Sequence, residues 1–136
     1  MAAPEPAPNA PAAPPAARDL VVDWRSYIVL WCLPVLAMIG ALWAGHPART
    51  LIWTGALAWM GIACLANARR CGRVHCRFTG PYFLLMAALT VLHGFGIVPL
   101  GADGWRWLGI ATGAGTALIW WGSEAVLGRY FGRPTE

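Results

Sequence analysis

The sequence contains no lysine, and charged residues make up only 12% of its 136 residues, against about 25% in an ordinary soluble domain. Hydrophobic residues make up 58%, so a soluble chain of this composition could not cover its surface with polar groups. The ten basic residues are all arginines, scattered between apolar segments and not gathered into a tract interleaved with aromatics. Nucleic-acid binding is therefore not indicated, and the length allows a single domain.

Sequence motifs that carry familiar chemistry are also missing. There is no Cys-x-x-Cys pair, no glycine-rich phosphate loop, no nucleotide-cofactor fingerprint and no nucleophile elbow. The cysteines leave a membrane thiol oxidoreductase as the remaining enzyme class, and it is the least supported interpretation. The sequence thus gives no indication of an enzyme.

The first 25 residues predict a disordered cytoplasmic tail, because they are rich in alanine and proline. They have neither the basic start nor the apolar core of a signal peptide. The apolar segment that follows should therefore remain as a membrane span. Residues 129–136 predict a second, short cytoplasmic tail.

Four apolar segments follow, each close to the roughly 20 residues that cross about 30 Å of hydrocarbon as a helix. They cover about residues 26–44, 50–67, 81–100 and 105–127. Short turns with glycine or proline join the first to the second and the third to the fourth, as in helical hairpins. We predict an all-α polytopic membrane protein in which residues 26–128 form a bundle of four transmembrane helices.

The arginines predict how this bundle is oriented. Only Arg49 and Arg106 lie on one side of the four spans, and the other eight lie on the side of the two termini and the central loop. The positive-inside rule then places both termini in the cytoplasm. This orientation predicts a membrane that borders the cytoplasm, with the lipid bilayer as the first partner.

The central loop between the second and third spans holds the strongest candidate site. Cys71, His75 and Cys76 place two thiols and an imidazole within six residues, and thiophilic ions such as Zn(II), Cu(I) and Hg(II) prefer these ligands. Neighbouring arginines predict a lowered thiol pKa, which favours the metal-binding thiolate. The spacing is not that of a zinc finger. A second interpretation is a solvated loop whose arginines set topology and bind anionic lipid head groups.

Two further cysteines belong to the same half of the protein. Cys64 precedes Cys71 by seven residues, so both lie on one helix face if the second helix extends that far, with Asn67 between them. Cys32 lies about two turns into the first span. A metal site could therefore include Cys64 and Cys32, and the alternative is that both pack as small hydrophobic residues.

Two ionisable residues fall inside the predicted spans. His93 is expected near the middle of the third span, where an ionisable side chain is a functional candidate, and the alternative is a structural hydrogen bond to the next helix. Glu124 is expected one turn from the cytoplasmic end of the fourth span. Its interpretations are a salt bridge, to Arg129 or to an arginine of the central loop, or an oxygen ligand and proton acceptor.

The run Asn67-Ala68-x-x-Cys71-Gly72-x-x-His75-Cys76-x-x-Thr79-Gly80-Pro81 resembles a motif of small uncharacterised bacterial multi-pass membrane proteins. That resemblance implies a bacterial membrane location and no particular activity. The chain is also loosely similar to the small mercuric-ion uptake membrane proteins in size and in placing cysteines in a first span and a cytoplasmic loop. The analogy implies transfer of a thiophilic ion through Cys32 paired with Cys64. The chain departs from that pattern because Cys32 stands alone in its span.

Two functions follow from these features. The first is an integral membrane protein that binds or transports a thiophilic metal ion at its Cys/His group, with His93 on the path. The second is an accessory or assembly subunit of a larger membrane complex. Gly109, Gly113 and Ala117 form a stripe of small residues, which would let a partner helix or a second copy of the chain approach closely.

Overall fold

The structure is a computed structural model that describes residues 19–128. This part of the chain contains no β-strand and forms four helices: α1 (Trp24–Trp43), α2 (Ala48–Cys71), α3 (Val74–Gly94) and α4 (Gly104–Leu127). The predicted all-α fold is therefore confirmed. The tail predicted for residues 129–136, and residues 1–18 of the tail predicted at the start, lie outside the described residues.

Helix α1 is continuous but irregular along its length. Asp23 caps its first turn, because its carboxylate accepts hydrogen bonds from the Ser26 backbone N–H at 3.0 Å and from the Ser26 hydroxyl at 2.6 Å. A π-helical turn covers Ile28–Cys32 and lies just before Pro34, whose ring nitrogen has no hydrogen to donate to the helical ladder. A 3-10 turn, Ala41–Trp43, ends the helix.

The helices pack in chain order, α1 on α2, α2 on α3 and α3 on α4, and α2 and α3 share the largest interface. Gly72 ends α2 in a left-handed conformation with φ of 71°, which lets the chain reverse within two residues. The backbones of α2 and α3 meet at Gly61 and Gly80. A Cβ built on Gly61 would lie 3.0 Å from the Gly80 carbonyl oxygen, and one built on Gly80 would lie 3.2 Å from the Gly61 carbonyl oxygen. These two glycines therefore allow unusually close helix packing.

The hydrophobic core is centred on α2 and α3 and is completed from α1 and α4. Trp53 links three helices, because its indole N–H donates to the Met38 carbonyl of α1 at 2.9 Å and its ring meets Trp105 of α4 edge-on at 5.6 Å. A hydrogen bond at the tryptophan nitrogen satisfies the one polar atom of this buried ring.

Two of the helices, α1 and α2, are long and apolar enough to cross a membrane. Helix α3 begins with polar residues, among them His75 and Arg77, and helix α4 contains five glycines against two in α2. Large apolar side chains also cover the outward faces of the helices, and the following are each more than half exposed: Leu36, Ile62, Leu85 and Leu118.

The structure differs from the sequence prediction in the segment between the second and third spans. The sequence predicts a loop between residues 67 and 81, but α2 continues to Cys71 and α3 begins at Val74. Hydropathy marks where side chains cease to be apolar, and a helix continues beyond that point until a residue breaks it. In this segment the break is made by Gly72.

The structure also differs at the end of the predicted N-terminal tail. Residues 19–23 form turns that lie against the helices, and we call this segment the N-terminal strap. Asp19 in the strap is buried. Its carboxylate has partners on the helices, which explains why the strap is held in place.

Candidate functional site

Most of the predicted site residues meet where α2 ends and α3 begins. Cys64 and Asn67 lie in the last turns of α2, His75 and Cys76 lie in the first turn of α3, and Glu124 lies in the last turn of α4. The first four side chains are at most 3% exposed. The prediction that His75 and Cys76 lie in a loop at the surface is therefore wrong, because the continuing helices carry them into the packed interface.

Cys64 and Cys76 both belong to the buried core at the α2–α3 interface, and their thiols are close enough to interact. Cys64 follows Gly61 by one helical turn, and Cys76 precedes Gly80 by one turn. Because α2 and α3 are antiparallel, the close contact of the two glycines brings these thiols together. The analogy with the mercuric-ion uptake proteins predicts that Cys64 pairs with Cys32. In the structure the neighbouring thiol of Cys64 is that of Cys76.

His75 joins this thiol pair to a carboxylate. Its Nε2 atom lies 3.3 Å from the Cys76 Sγ, and its Nδ1 atom lies 2.7 Å from the Glu124 Oε1. The Trp120 ring stacks on the imidazole with centroids 4.3 Å apart and an interplanar angle of 14°. A thiol, an imidazole and a carboxylate thus form one connected chain, with the imidazole plane fixed by the stacked indole.

Arg73 closes the other side of the cluster. Its guanidinium forms an ion pair with Asp19 of the N-terminal strap, and its Nε lies 3.3 Å from the Glu124 Oε1. Asn67 donates to the Asp19 carboxylate at 2.8 Å and accepts a hydrogen bond from the Leu20 backbone N–H at 2.8 Å. The strap is therefore held by buried polar contacts to α2 and to Arg73, which in turn contacts Glu124 of α4.

The pKa shifts follow from these contacts. The neighbouring Cys64 thiol and burial raise the pKa of the Cys76 thiol, so the prediction that nearby arginines lower it is wrong for this thiol. Burial opposes protonation of His75, but its hydrogen bonds to Cys76 and Glu124 prevail and raise its pKa. Burial likewise opposes ionisation of Asp19, but hydrogen bonds from Asn67 and Arg73 prevail and lower its pKa.

Two of the predicted cysteines lie outside the thiol pair. Cys71 donates to the Asn67 carbonyl of its own helix at 3.1 Å, and Cys32 is partly exposed in the π-helical turn of α1. Among residues 19–128, no hydrogen bond joins either one to another thiol. Nor do three or more His, Cys, Asp or Glu side chains form a metal-binding group in the same range.

His93 lies at the end of α3, whereas the sequence predicts it near the middle of the third helix. Its Nδ1 is 3.2 Å from the Val98 carbonyl oxygen, and its ring lies 5.4 Å from the Trp105 ring. The helix ends here because Gly96 takes a left-handed φ of 74°. His93 is thus far along the helix from the thiol pair, at the opposite end of α3.

Sequence reasoning missed two members of the cluster, Asp19 and Trp120. Its prediction of a salt bridge from Glu124 to an arginine of the central loop is confirmed, and that arginine is Arg73. Asp19 stands at the end of the proline-rich stretch, directly before Leu20-Val21-Val22. The short apolar run after Asp19 is a weak sequence signal that this segment packs against the helices. Arg73 sits inside the motif with Cys71 and His75, but its burial depends on the reversal at Gly72.

Comparison with known proteins gives no assignment, since no family model, curated protein or solved structure matches the chain. The chemistry of the cluster is therefore inferred from its own side chains. Two adjacent thiols offer a pair of soft sulfur donors, and a neighbouring imidazole is a base beside one of them.

Proposed function

We propose that the chain is a multi-pass protein of the bacterial cytoplasmic membrane, with four spans and both termini in the cytoplasm. The two helices that are apolar enough to cross a bilayer support this proposal, as do the exposed apolar side chains on all four helices. The excess of arginine on the side of the termini supports the orientation.

Within that membrane protein, the Cys64–Cys76 pair captures a thiophilic metal ion. The observation that carries this proposal is that both thiols are buried in one core at the α2–α3 interface, each one helical turn from the close contact of Gly61 with Gly80. Soft thiolates are the preferred ligands of Cu(I) and related ions. An ion that accepts two sulfur donors, such as Cu(I) or Hg(II), suits the pair better than Zn(II), which prefers four ligands.

Burial of the pair fits capture of an ion that must be kept from competing ligands. Both thiols are almost fully buried, and Asn67 lies 3.6 Å from the Cys76 Sγ as a further hydrogen-bond donor. Metal binding requires that both thiols lose their protons. The Nε2 atom of His75 is adjacent to Cys76, so a proton acceptor stands next to the site.

The test is a titration of the purified protein in detergent with Hg(II) and, under reducing conditions, with Cu(I). Cys64→Ser and Cys76→Ser are the site variants, and Cys32→Ser and Cys71→Ser are matched controls that each also remove one thiol. The proposal predicts one tightly bound ion per chain in the wild type and in both controls, and loss of tight binding in both site variants. Equal binding in all four variants would overturn it.

A role as an accessory subunit is the second candidate, and one observation favours it. A cavity of about 520 Å³ lies between α1 and α4, and its walls are mostly apolar. Gly113 lines this cavity, and a Cβ built there would meet no atom within 4 Å. The predicted stripe of small residues thus has room beside it for a partner helix.

The two functions respond to different substitutions. If the cavity receives a partner helix, Gly113→Leu should reduce the size of the complex purified in mild detergent and leave metal binding unchanged. Gly40→Leu is the matched control, because a Cβ on Gly40 also meets no atom within 4 Å but Gly40 does not line the cavity. An unchanged complex in both variants would exclude this docking position.

A further inference from the structure

The thiols of Cys64 and Cys76 are almost completely enclosed. Cys64 is 1% exposed and Cys76 is 0% exposed, so a metal ion or a thiol reagent reaches them only when part of the protein moves. Helices α2 and α3 are held together by the close backbone contact of Gly61 with Gly80. Separating these two helices would open the hydrophobic core itself, so the movement that admits an ion should lie elsewhere.

The N-terminal strap lies next to the thiol pair, with the Asn67 side chain between them. The Asn67 Nδ2 atom donates to the Asp19 Oδ1 at 2.8 Å and lies 3.6 Å from the Cys76 Sγ. Val21 of the strap packs against the core cluster that contains both thiols. The strap and Asn67 therefore cover one end of the pair, which faces the cytoplasm in the proposed topology.

The strap can move as a unit, because its turn is held by its own hydrogen bonds. The Val21 N–H donates to the Asp19 carboxylate at 3.0 Å, and the Val22 N–H donates to the Asp19 carbonyl at 3.2 Å. Asp23 caps the first turn of α1, so α1 keeps its start when the strap moves. Short segments outside a helix open at a lower free-energy cost than packed helices do.

The side chains of Asn67 and Arg73 hold the strap against the helices. Asn67 binds the Asp19 carboxylate and the Leu20 backbone N–H, and Arg73 forms an ion pair with Asp19. Asn67 also contacts Cys76. The position of the strap and the surroundings of the thiol therefore depend on the same side chain.

We infer that the N-terminal strap is a lid that opens to let a thiophilic ion reach the Cys64–Cys76 pair and then closes over it. The inference rests on the proposed function for the identity of the ion. The cover over the thiols is a property of the strap and can be tested without metal. A lid changes the rates at which a reagent enters and leaves, and these rates are measured separately from affinity.

The experiment measures alkylation of the full-length protein by N-ethylmaleimide in a mild detergent. The parent protein and all variants carry Cys32→Ser and Cys71→Ser, so that Cys64 and Cys76 are the remaining thiols. Mass spectrometry of the cleaved protein then gives the rate of alkylation at each of the two.

Two variants release the strap by different means. Asp19→Ala removes the carboxylate that binds Asn67 and Arg73. Leu20→Pro removes the backbone N–H that donates to Asn67 and leaves every charge in place, so it excludes a simple electrostatic effect on the thiols. Trp53→Phe is the control, because it removes a buried hydrogen bond near the other end of α2.

The strap variants should be alkylated faster than the parent protein. We expect a rise of at least about tenfold in Asp19→Ala, which loses a hydrogen bond to a charged group, and of at least about twofold in Leu20→Pro, which loses a neutral one. Trp53→Phe should be alkylated at the parent rate. Circular dichroism and the free energy of unfolding are measured for each variant, and if one strap variant does not fold, the other decides.

A rise confined to the strap variants supports the lid. The inference is overturned if a folded strap variant shows no rise, and a rise in Asp19→Ala without one in Leu20→Pro would trace the effect to the lost charge. It is also overturned if the rates in all three variants follow their loss of stability, because unfolding of the whole protein would then expose the thiols.

The rates of Hg(II) uptake and release separate this inference from the proposed function. If both hold, the strap variants take up and release Hg(II) faster than the parent protein. If the parent protein binds no Hg(II) but the strap variants are alkylated faster, metal capture is wrong and the strap remains a lid over the thiols. Unchanged alkylation and unchanged Hg(II) rates in both strap variants would overturn the lid and leave metal capture standing.

Discussion

Replacing Asn67 by alanine would remove the side chain that ties the N-terminal strap to the helices. Asn67 is fully buried. Its amide donates to the Asp19 carboxylate, and its carbonyl oxygen accepts the Leu20 backbone N–H, both at 2.8 Å. The substitution therefore breaks one charged and one neutral hydrogen bond at a single buried position.

The expected loss in the free energy of unfolding follows from these two hydrogen bonds. A hydrogen bond to a charged group contributes about 1.5–3 kcal/mol and a neutral one about 0.5–1.5 kcal/mol. Asp19 retains its ion pair with Arg73, so its carboxylate keeps one strong partner. We expect Asn67→Ala to lower the free energy of unfolding by about 2–4 kcal/mol.

The assay is reversible unfolding in mixed micelles of a mild detergent and dodecyl sulfate, followed by circular dichroism. Asn67→Asp is an informative second variant, because it keeps an acceptor for Leu20 but sets a second carboxylate against Asp19. It should be at least as destabilised at neutral pH and should recover as the pH falls. A change of less than about 0.5 kcal/mol in Asn67→Ala would refute the assignment of the strap to this buried contact.

Three further predictions follow from other contacts. Gly80→Ala should destabilise the fold by about 1–3 kcal/mol, because the added Cβ would lie 2.7 Å from the Leu65 side chain. Gly113→Ala is the control and should be neutral, because its Cβ would meet no atom within 4 Å. The free energies of unfolding of the two variants are compared. Asp19 has a lowered pKa, so it stabilises the fold above the pKa of an unfolded aspartate, near 3.9, and this contribution disappears as the pH falls through its lower folded pKa. Asp19→Asn should therefore remove part of the loss of stability that occurs as the pH falls below about 4. Trp53→Phe should cost about 1 kcal/mol by deleting the 2.9 Å hydrogen bond to the Met38 carbonyl, measured as a shift in thermal unfolding.

Each of these three predictions has a result that would contradict it. Equal stability of Gly80→Ala and Gly113→Ala would mean that α2 and α3 are not in close backbone contact. An unchanged acid response in Asp19→Asn would mean that this carboxylate is solvated in the folded protein. An unaltered unfolding temperature in Trp53→Phe would show that the hydrogen bond to the Met38 carbonyl adds no net stability.

The helical class was predictable because four long apolar segments separated by turn residues leave few alternatives. The helix ends were less predictable. The third apolar segment suggests a helix over residues 81–100, whereas α3 covers Val74–Gly94. Its polar first turns are stabilised by partners on α2 and α4, which hydropathy does not register, and its end is set by the backbone of Gly96.

The site was predictable in its residue types but not in its pairing. Cys64, His75 and Cys76 stand out in the sequence as soft or titratable groups. Which thiols meet depends on the contact of Gly61 with Gly80, and that contact depends on which faces of two helices pack together. Asp19 was hidden for a similar reason, since its partners are about fifty residues away in the chain.

The most direct test of metal capture by the thiol pair is X-ray absorption spectroscopy of the protein loaded with one equivalent of Hg(II) or Cu(I). The proposal predicts two sulfur neighbours around the metal, and the same spectrum in the Cys32→Ser, Cys71→Ser double variant. A metal surrounded by oxygen and nitrogen, or a spectrum that persists in the Cys64→Ser, Cys76→Ser double variant, would contradict it.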